Sequence, residues 1–152
     1  MDEAYQVIQY LKQERKTLAT AESCTGGLLG KLLTDVPGAS AVYLGGVISY
    51  AYEVKERLLG VDHGILQTQG AVCTTVVCQM AEGARSCFNA DVALAITGNA
   101  GPGTDAINQN LGEIYIACAD SYGTRSVKLQ LSGNRESNRE AACLAALKML
   151  LE

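Results

Sequence analysis

The sequence has 152 residues, of which 48% are apolar and 18% are charged, so it can bury a core and is expected to fold as one domain over residues 1–152. The net charge of −4 argues against a broad surface for nucleic acid. No stretch approaches the run of about 18 apolar residues that a membrane-spanning helix needs, and the first residues do not resemble a secretory signal. We therefore expect a cytoplasmic protein that binds neither nucleic acid nor membranes.

Sequence patterns predict an alternation of helices and strands along the chain. Helices are predicted where apolar residues recur on one face, at residues 4–12, 28–33, 54–59, 74–88 and 137–151, with Thr74 as the cap of the fourth. Strands are predicted from apolar and β-branched runs at residues 17–21, 43–50, 92–97, 112–119 and 125–131.

This alternation predicts an α/β fold, in which a sheet lies between two layers of helices as a three-layer α/β/α sandwich. Residues 92–97 are apolar almost throughout, which is typical of a strand buried on both faces. Residues 120–124 join the last two predicted strands and are too few for a crossover helix, so these strands should form an antiparallel hairpin. We expect a mixed, mostly parallel sheet of about five strands.

Six cysteines lie at positions 24, 73, 78, 87, 118 and 143 without forming a C-x-x-C pair, and the only histidine is His63. Most of these cysteines fall inside apolar runs. We interpret them as reduced residues of a cytosolic protein rather than as disulfides or zinc ligands. No metal and no cofactor is expected.

Three polar residues follow predicted strands at the same topological place. Ser23 comes after the first strand, Lys55 comes shortly after the second, and Thr97 ends the third. Ligand crevices in open α/β sheets lie outside the carboxyl ends of the strands, so these residues are expected to converge.

The turn after Ser23 could support nucleophilic catalysis. The N–H groups of Cys24, Thr25 and Gly26 would lie near the start of a helix, where free N–H groups stabilise an oxyanion or a phosphate. Ser23 would need a base, and Lys55 can serve if burial lowers its pKa. The alternatives are that Ser23 only caps the helix and that Lys55 is a solvated lysine beside Glu56.

Cys24 is a rival nucleophile. A Cys–His pair would require His63, which lies in a segment that reads as a loop and is interpreted as a surface residue. A thiol hydrolase therefore remains an alternative to the serine mechanism.

Two further segments could bind an anion. The loop from Thr97 to Gly103 has three glycines, which let backbone N–H groups approach a phosphate, although a plain tight turn explains it equally well. Arg135 and Arg139 lie at the start of the last helix, where an anion would compensate their charge. Ion pairs with Glu136 and Glu140 are the alternative.

Taken together, several stretches resemble the C-terminal domain of the CinA family and its stand-alone relatives, the bacterial nicotinamide mononucleotide deamidases. They are Thr-Ala-Glu-Ser-Cys-Thr-Gly-Gly at 20–27, Gly-Val-Ile-Ser-Tyr at 46–50 with Glu53 and Lys55, Gln-Gly-Ala-Val at 69–72, Ala-Ile-Thr-Gly-Asn-Ala-Gly-Pro-Gly at 95–103 and Gly-Asn-Arg at 133–135. Their order and spacing match across nearly the whole chain.

The resemblance implies a metal-free serine–lysine amidohydrolase that converts nicotinamide mononucleotide to nicotinate mononucleotide and ammonia. Ser23 would be the nucleophile and Lys55 the general base, with Tyr50 and Thr97 lining the site. Residues implied to bind the nucleotide substrate are Cys24, Thr25, Gly26, Gly27, Gly98, Asn99, Ala100, Gly101 and Arg135. The resemblance also favours a homo-oligomer. A non-catalytic nucleotide- or phosphate-binding regulatory module is the alternative function.

The chain departs from the family pattern in two places. Tyr52 stands where the family usually has asparagine, and the segment 104–111 lacks the glycines and the Lys-Pro-Val-Gly sequence typical of the family. These departures leave Ser23 and Lys55 in place and affect substrate choice.

Overall fold

The computed structural model describes residues 2–152. Its strands are β1 (Leu18–Glu22), β2 (Tyr43–Ile48), β3 (Val92–Gly98), β4 (Glu113–Asp120) and β5 (Gly123–Gln130). Its helices are α1 (Glu3–Glu14), α2 (Leu28–Thr34), α3 (Tyr52–Leu59), α4 (His63–Gln69), α5 (Thr74–Phe88) and α6 (Arg135–Leu151), with a short 3-10 turn at Ala39–Ala41. Of the helices within this part of the chain, none is long and apolar enough to cross a membrane.

The five strands form one mixed sheet in the order β2-β1-β3-β4-β5. β1 pairs in parallel with β2 and β3, whereas β4 pairs antiparallel with β3 and with β5. Four strands therefore point the same way and β4 alone points back. This arrangement confirms the predicted mixed, mostly parallel sheet and the hairpin between its last two strands.

Position in the sheet accounts for the sequence pattern of each strand. β3 lies between β1 and β4, and its residues Val92–Ile96 are buried on both faces, as their apolar character predicts. β2 is an edge strand, and its residues alternate between half-buried and exposed. β5 forms the other edge and also alternates.

Helices cover both faces of the sheet, which confirms the predicted three-layer sandwich. α1, α2 and α6 pack on one face through a core rich in leucine and isoleucine. α3, α4 and α5 pack on the other face, where the sheet presents the small side chains Ala19, Ala21, Ala93, Ala95, Ala117 and Ala119. Gly83 of α5 continues this close packing, because a Cβ atom there would lie 1.9 Å from the carbonyl oxygen of Leu59 at the end of α3. Small residues thus let α5 lie close to the sheet and to α3.

Two local predictions were wrong. His63 begins α4 rather than lying in a loop, because the side chain of Asp62 caps this helix by accepting from the N–H of Ile65 at 3.0 Å. Thr74 is the first residue of α5 rather than its cap, and the capping position is Cys73, which makes no side-chain capping bond.

The first and last helices run in the same direction along one face, both antiparallel to β1, β2 and β3. Only residues 15–17 join α1 to β1, so α1 must run antiparallel to β1, and its first turn lies level with the carboxyl ends of β1, β2 and β3. α6 follows β5, which has the same direction as β3, so α6 starts at that end of the sheet and finishes at the other.

Candidate active site

The carboxyl ends of β1, β2 and β3 meet at one edge of the sheet, as predicted. The N–H of Ser23 donates to the carbonyl of Ile96 in β3 at 3.0 Å. The N–H of Ser49, just after β2, donates to the carbonyl of Glu22 at 2.7 Å, and the Ser49 hydroxyl donates to the same oxygen at 3.2 Å. These bonds fix the segments after β1 and β2 relative to the end of β3.

Ser23 and Lys55 face each other at this edge. Ser23 Oγ lies 2.9 Å from Lys55 Nζ, and the two residues are only 8% and 1% exposed. Lys55 Nζ also donates to the carbonyls of Ser49 at 2.6 Å and Tyr50 at 3.4 Å. A neutral amine has two N–H groups and one lone pair, so the two carbonyls occupy the N–H groups and leave the lone pair for the Ser23 hydroxyl.

The surroundings of Lys55 favour its neutral form. Burial lowers its pKa from 10.5 to about 8, against the opposing effects of Cys24 and Asp105. No carboxylate of the described residues lies within ion-pair distance of its amine. Lys55 is therefore not the solvated helix lysine that local sequence allowed, and its neutral fraction is appreciable near physiological pH.

Glu22 is a structural residue of the site that the sequence reasoning missed. Its buried Oε1 accepts from the Thr25 hydroxyl at 2.7 Å and from the N–H groups of Gly27 at 3.2 Å and Leu29 at 2.9 Å, and its Oε2 accepts from the N–H of Gly30 at 3.0 Å. The capping position of α2 is Gly27, which has no side chain to accept these bonds. In the sequence, the available signal was a helix start at Gly27, which cannot cap through a side chain, with Glu22 shortly before it as a possible acceptor.

This network changes the predicted roles of two glycines. The N–H of Gly26 donates to the carbonyl of Ser23 at 3.1 Å and that of Gly27 donates to Glu22, so neither is free to bind an oxyanion. Within residues 2–152, the N–H groups of Cys24 and Thr25 donate to no backbone carbonyl and to no side chain of another residue. These two remain the candidates at the turn after Ser23.

The two arginines near the start of α6 make different contacts. Arg139 donates from Nε to the Cys24 carbonyl at 3.0 Å and from Nη2 to the Thr25 carbonyl at 2.9 Å, so it supports the turn after Ser23. Arg135 donates from Nη1 to the Gly101 carbonyl at 2.7 Å and lines the cavity. Neither forms the ion pair with Glu136 or Glu140 that sequence allowed.

A cavity of about 270 Å³ opens over Ser23 and Lys55. Its walls come from the turn after β1, α3, the segment before α5, the loop after β3 and the start of α6. They comprise Ser23, Cys24, Tyr50, Tyr52, Lys55, Ala71, Val72, Thr97, Gly98, Asn99, Ala100, Gly103, Thr104, Asp105 and Arg135. Within the described chain, no three His, Cys, Asp or Glu side chains are grouped to hold a metal ion.

Of the other residues predicted at the site, Tyr50 and Thr97 line this cavity, whereas Thr25 and Gly101 do not. The Thr97 hydroxyl donates to the Ala71 carbonyl at 2.9 Å, which ties the end of β3 to the segment before α5. Tyr50 is 65% exposed, and its bond to Lys55 is made by its backbone carbonyl.

The loop between β3 and β4 is held by side-chain amides. Buried Asn99 donates from Nδ2 to the carbonyls of Asn108 at 2.8 Å and Asn110 at 3.0 Å, and its Oδ1 accepts from the N–H of Asp105 at 2.8 Å. The N–H groups of Ala100, Gly103 and Thr104 are part of this loop, and none of them has an acceptor within residues 2–152. The loop therefore offers free donors beside the cavity.

A Cys–His pair is not assembled. Burial raises the pKa of Cys24 to about 11, so its thiol is protonated at neutral pH. His63 is exposed on α4, where its Nδ1 lies 2.6 Å from Glu56 Oε1, and it does not line the cavity. Both observations disfavour the thiol alternative.

Fold and site together define a class: a three-layer α/β/α protein with a serine facing a buried lysine at the carboxyl ends of parallel strands. The chain belongs to the CinA C-terminal domain family, whose model matches residues 2–152. It is 42% identical over 144 residues to a CinA-like protein of Geobacter sulfurreducens, and 44% identical over 144 residues to a putative competence-damage inducible protein of Caldanaerobacter subterraneus. Each match covers 95% of this chain and 35% of the relative, so the chain spans about a third of their length.

Solved structures of the family have the same fold. A CinA superfamily protein of Escherichia coli superposes with a TM-score of 0.94 at 30% identity, covering 98% of this chain and 87% of that one. A competence/damage inducible protein of Agrobacterium tumefaciens superposes with a TM-score of 0.93 at 34% identity, covering 98% of this chain and 92% of that one.

Proposed function

We propose that the chain hydrolyses the carboxamide of nicotinamide mononucleotide to nicotinate mononucleotide and ammonia. The observation that carries this proposal is the 2.9 Å contact between Ser23 Oγ and Lys55 Nζ inside a polar cavity. The substrate is suggested by the resemblance in the Ser23, Lys55 and Thr97 stretches.

In the first half of the reaction, Ser23 Oγ attacks the carboxamide carbon while neutral Lys55 takes the hydroxyl proton. Negative charge develops on the carboxamide oxygen. The N–H groups of Cys24 and Thr25, which donate to no backbone carbonyl, are the candidates to stabilise it. Lys55 then returns its proton to the nitrogen, the C–N bond breaks and ammonia leaves an ester on Ser23.

In the second half, water attacks the ester and Lys55 accepts its proton. The C–O bond to Ser23 breaks, the proton returns to Ser23 Oγ and nicotinate mononucleotide leaves. The carbonyls of Ser49 and Tyr50 keep the amine oriented through both halves, because they hold its N–H groups while the lone pair exchanges the proton.

The phosphate of the substrate would lie at the end of the cavity between Arg135 and the loop after β3. Arg135 supplies a positive charge, and the N–H groups of Ala100, Gly103 and Thr104 supply free donors. The start of α2 is not suitable for this purpose, since the carboxylate of Glu22 already occupies its N–H groups.

The test is ammonia release from nicotinamide mononucleotide by the wild type, Ser23→Ala and Lys55→Ala. Both variants are expected to lose at least about a thousandfold in kcat, because each removes one partner of the proton transfer. Ser121→Ala and Lys148→Ala are matched controls, since both residues are exposed and distant from the cavity. An active Ser23→Ala variant would overturn the mechanism.

Calorimetric titration with the same nucleotide separates the proposal from a non-catalytic binding module. That alternative draws support from the longer relatives, of which this chain matches only 35%. Saturable binding of unchanged nucleotide without ammonia release by the wild type would favour it.

A further inference from the structure

The inference concerns Asp105, whose carboxylate lines the cavity together with Tyr52. We propose that Asp105, oriented by Tyr52, is a specificity residue that selects amides carrying a positive charge close to the carboxamide. The proposal rests on the proposed amidohydrolase function and adds to it the charge of the group that the cavity accepts.

Asp105 is held by four neutral donors. Its Oδ1 accepts from the hydroxyl of Tyr52 and from the N–H of Ala71 at 3.5 Å. Its Oδ2 accepts from the N–H groups of Ile107 at 3.1 Å and Asn108 at 3.2 Å. These bonds fix the carboxylate at the cavity wall, and because none of the donors is charged, its negative charge is not cancelled.

The carboxylate stays ionised and has no ion-pair partner. Burial opposes its ionisation, yet the hydrogen bonds from Tyr52 and from the N–H groups of Asn108 and Ile107 lower the pKa of Asp105. Burial and the bond to Asp105 raise the pKa of Tyr52 to about 12, so Tyr52 remains the donor. Among the described residues, no lysine, arginine or histidine lies within ion-pair distance of Asp105.

Among residues 2–152, the charged residues that line the cavity are Lys55, Asp105 and Arg135. Lys55 is neutral in the form that activates Ser23, so the working cavity contains one negative and one positive side chain. The charge of Asp105 reaches the reacting groups, since it raises the pKa of Lys55 against the larger lowering by burial. Arg135 donates to the Gly101 carbonyl and lies beyond ion-pair distance of Asp105. This distribution fits a zwitterion with its cation near Asp105 and its anion near Arg135.

A carboxamide on a cationic aromatic ring meets this requirement. The pyridinium ring of nicotinamide mononucleotide carries a fixed positive charge next to the carboxamide, and its phosphate carries the negative charge. The Tyr52 ring adds an aromatic surface, which also attracts cations. At partly buried sites one such charge contact is strong enough to change kcat/KM by about 10- to 100-fold.

The experiment compares two substrates that differ only in this charge. They are nicotinamide mononucleotide and benzamide riboside monophosphate, in which a neutral ring carries the same carboxamide, ribose and phosphate. The ratio of their kcat/KM values is measured for the wild type and for Asp105→Asn. A pyridinium amide is intrinsically more reactive than a benzamide, and this difference contributes equally to the kcat/KM ratio of both proteins. The effect of Asp105 is therefore the change in this ratio between the wild type and Asp105→Asn.

We expect Asp105→Asn to lower this ratio about tenfold or more, mainly through the cationic substrate. Asparagine has nearly the same size; its Nδ2 can donate to Tyr52 Oη while its oxygen accepts from Ile107 and Asn108, and only the long 3.5 Å bond from the N–H of Ala71 is lost. Tyr52→Phe retains the carboxylate and should lower the ratio less than Asp105→Asn does. Glu53→Gln removes an exposed charge next to Tyr52 in sequence, outside the cavity, and should leave the ratio unchanged.

Equal losses on both substrates in Asp105→Asn would show that Asp105 only supports the loop, and would overturn the inference without touching the proposed function. If the wild type hydrolyses neither substrate, the proposed function fails, and the same ratio is then measured as calorimetric Kd values. A Kd ratio that falls in Asp105→Asn would still support the cation site, and an unchanged one would overturn it.

Discussion

Lys55 combines two properties that rarely occur together in a lysine side chain. It is 1% exposed, and none of the described carboxylates pairs with its amine. Its partners are two backbone carbonyls and the Ser23 hydroxyl, which can be satisfied by a neutral amine as well as by a charged one. The folded chain therefore holds an uncharged amine against a hydroxyl, and this arrangement makes the pH response of Lys55 measurable.

The activity of the wild type should rise with pH through the pKa of Lys55. Because the neutral amine is the base and its pKa is about 8, kcat/KM should increase about tenfold per pH unit below that value and level off above it. Lys55→Arg should be inactive across the range, since guanidinium does not deprotonate. A flat kcat/KM between pH 6 and pH 9 would contradict Lys55 as the base.

The contact between Asp105 and Tyr52 could not be predicted from the sequence. The two places where the chain departs from the family pattern are Tyr52 and the segment 104–111, and they meet through the bond between Tyr52 and Asp105. These residues are 53 positions apart, and their contact depends on the conformation of an irregular loop. No periodicity in the sequence indicates such a contact.

At the scale of elements, the site depends on how the turn between β1 and α2 is held. Glu22 ends β1, and its carboxylate takes three N–H groups at the start of α2 together with the Thr25 hydroxyl. Arg139 of α6 supports the same turn by donating to the carbonyls of Cys24 and Thr25. Strand, turn and two helices thus fix the position of Ser23.

Glu22→Gln should destabilise the fold and impair the site. The amide group of glutamine would face backbone N–H groups that need an acceptor, and losing a charged acceptor for several donors costs about 2–3 kcal/mol. We expect urea unfolding to report this loss, with a further fall in kcat because the Ser23 turn shifts. Glu14→Gln, at the exposed end of α1, is the matched control. Equal stability of Glu22→Gln and wild type would rule out this role.

Helices and strands were predictable where one sequence feature, such as an apolar run or a short connection, was decisive. The apolar run of β3 and the short β4–β5 connection predicted a buried strand and a hairpin, and both predictions are confirmed. Helix α4 was missed because it has only seven residues and a single fully buried side chain, Leu66, so it lacks an apolar stripe. The convergence of Ser23, Lys55 and Thr97 followed from strand topology alone, whereas the Glu22 network required atomic contacts.

At the scale of the whole molecule, burying an unpaired lysine lowers stability in a pH-dependent manner. The pKa of Lys55 is about 8 in the folded chain, whereas the ordinary value of 10.5 applies in the unfolded chain. Between these values the unfolded chain binds more protons than the folded chain. Proton binding therefore stabilises the unfolded chain, and this stabilisation decreases as the pH rises. The free energy of unfolding of the wild type should therefore increase with pH in this window.

Comparison with Lys55→Met isolates this contribution, because all other titrating groups are shared. From pH 7 to pH 10, the wild type should gain about 2.5 kcal/mol of stability relative to the variant, measured by urea unfolding. The variant also leaves the Ser49 carbonyl without its donor, which adds an offset that does not depend on pH. Parallel stability curves for the two proteins would mean that Lys55 is charged in the folded state.

Because α1 and α6 run in the same direction, the start of α1 and the end of α6 lie at opposite ends of the sheet, which matters for immobilising or labelling this protein. A tag, fluorophore or surface linker attached ahead of α1 would sit at the end of the sheet where the cavity opens. The same group attached after α6 would lie at the far end. Biosensor and pull-down designs should therefore anchor the protein through the end of α6, so that the cavity faces the solution.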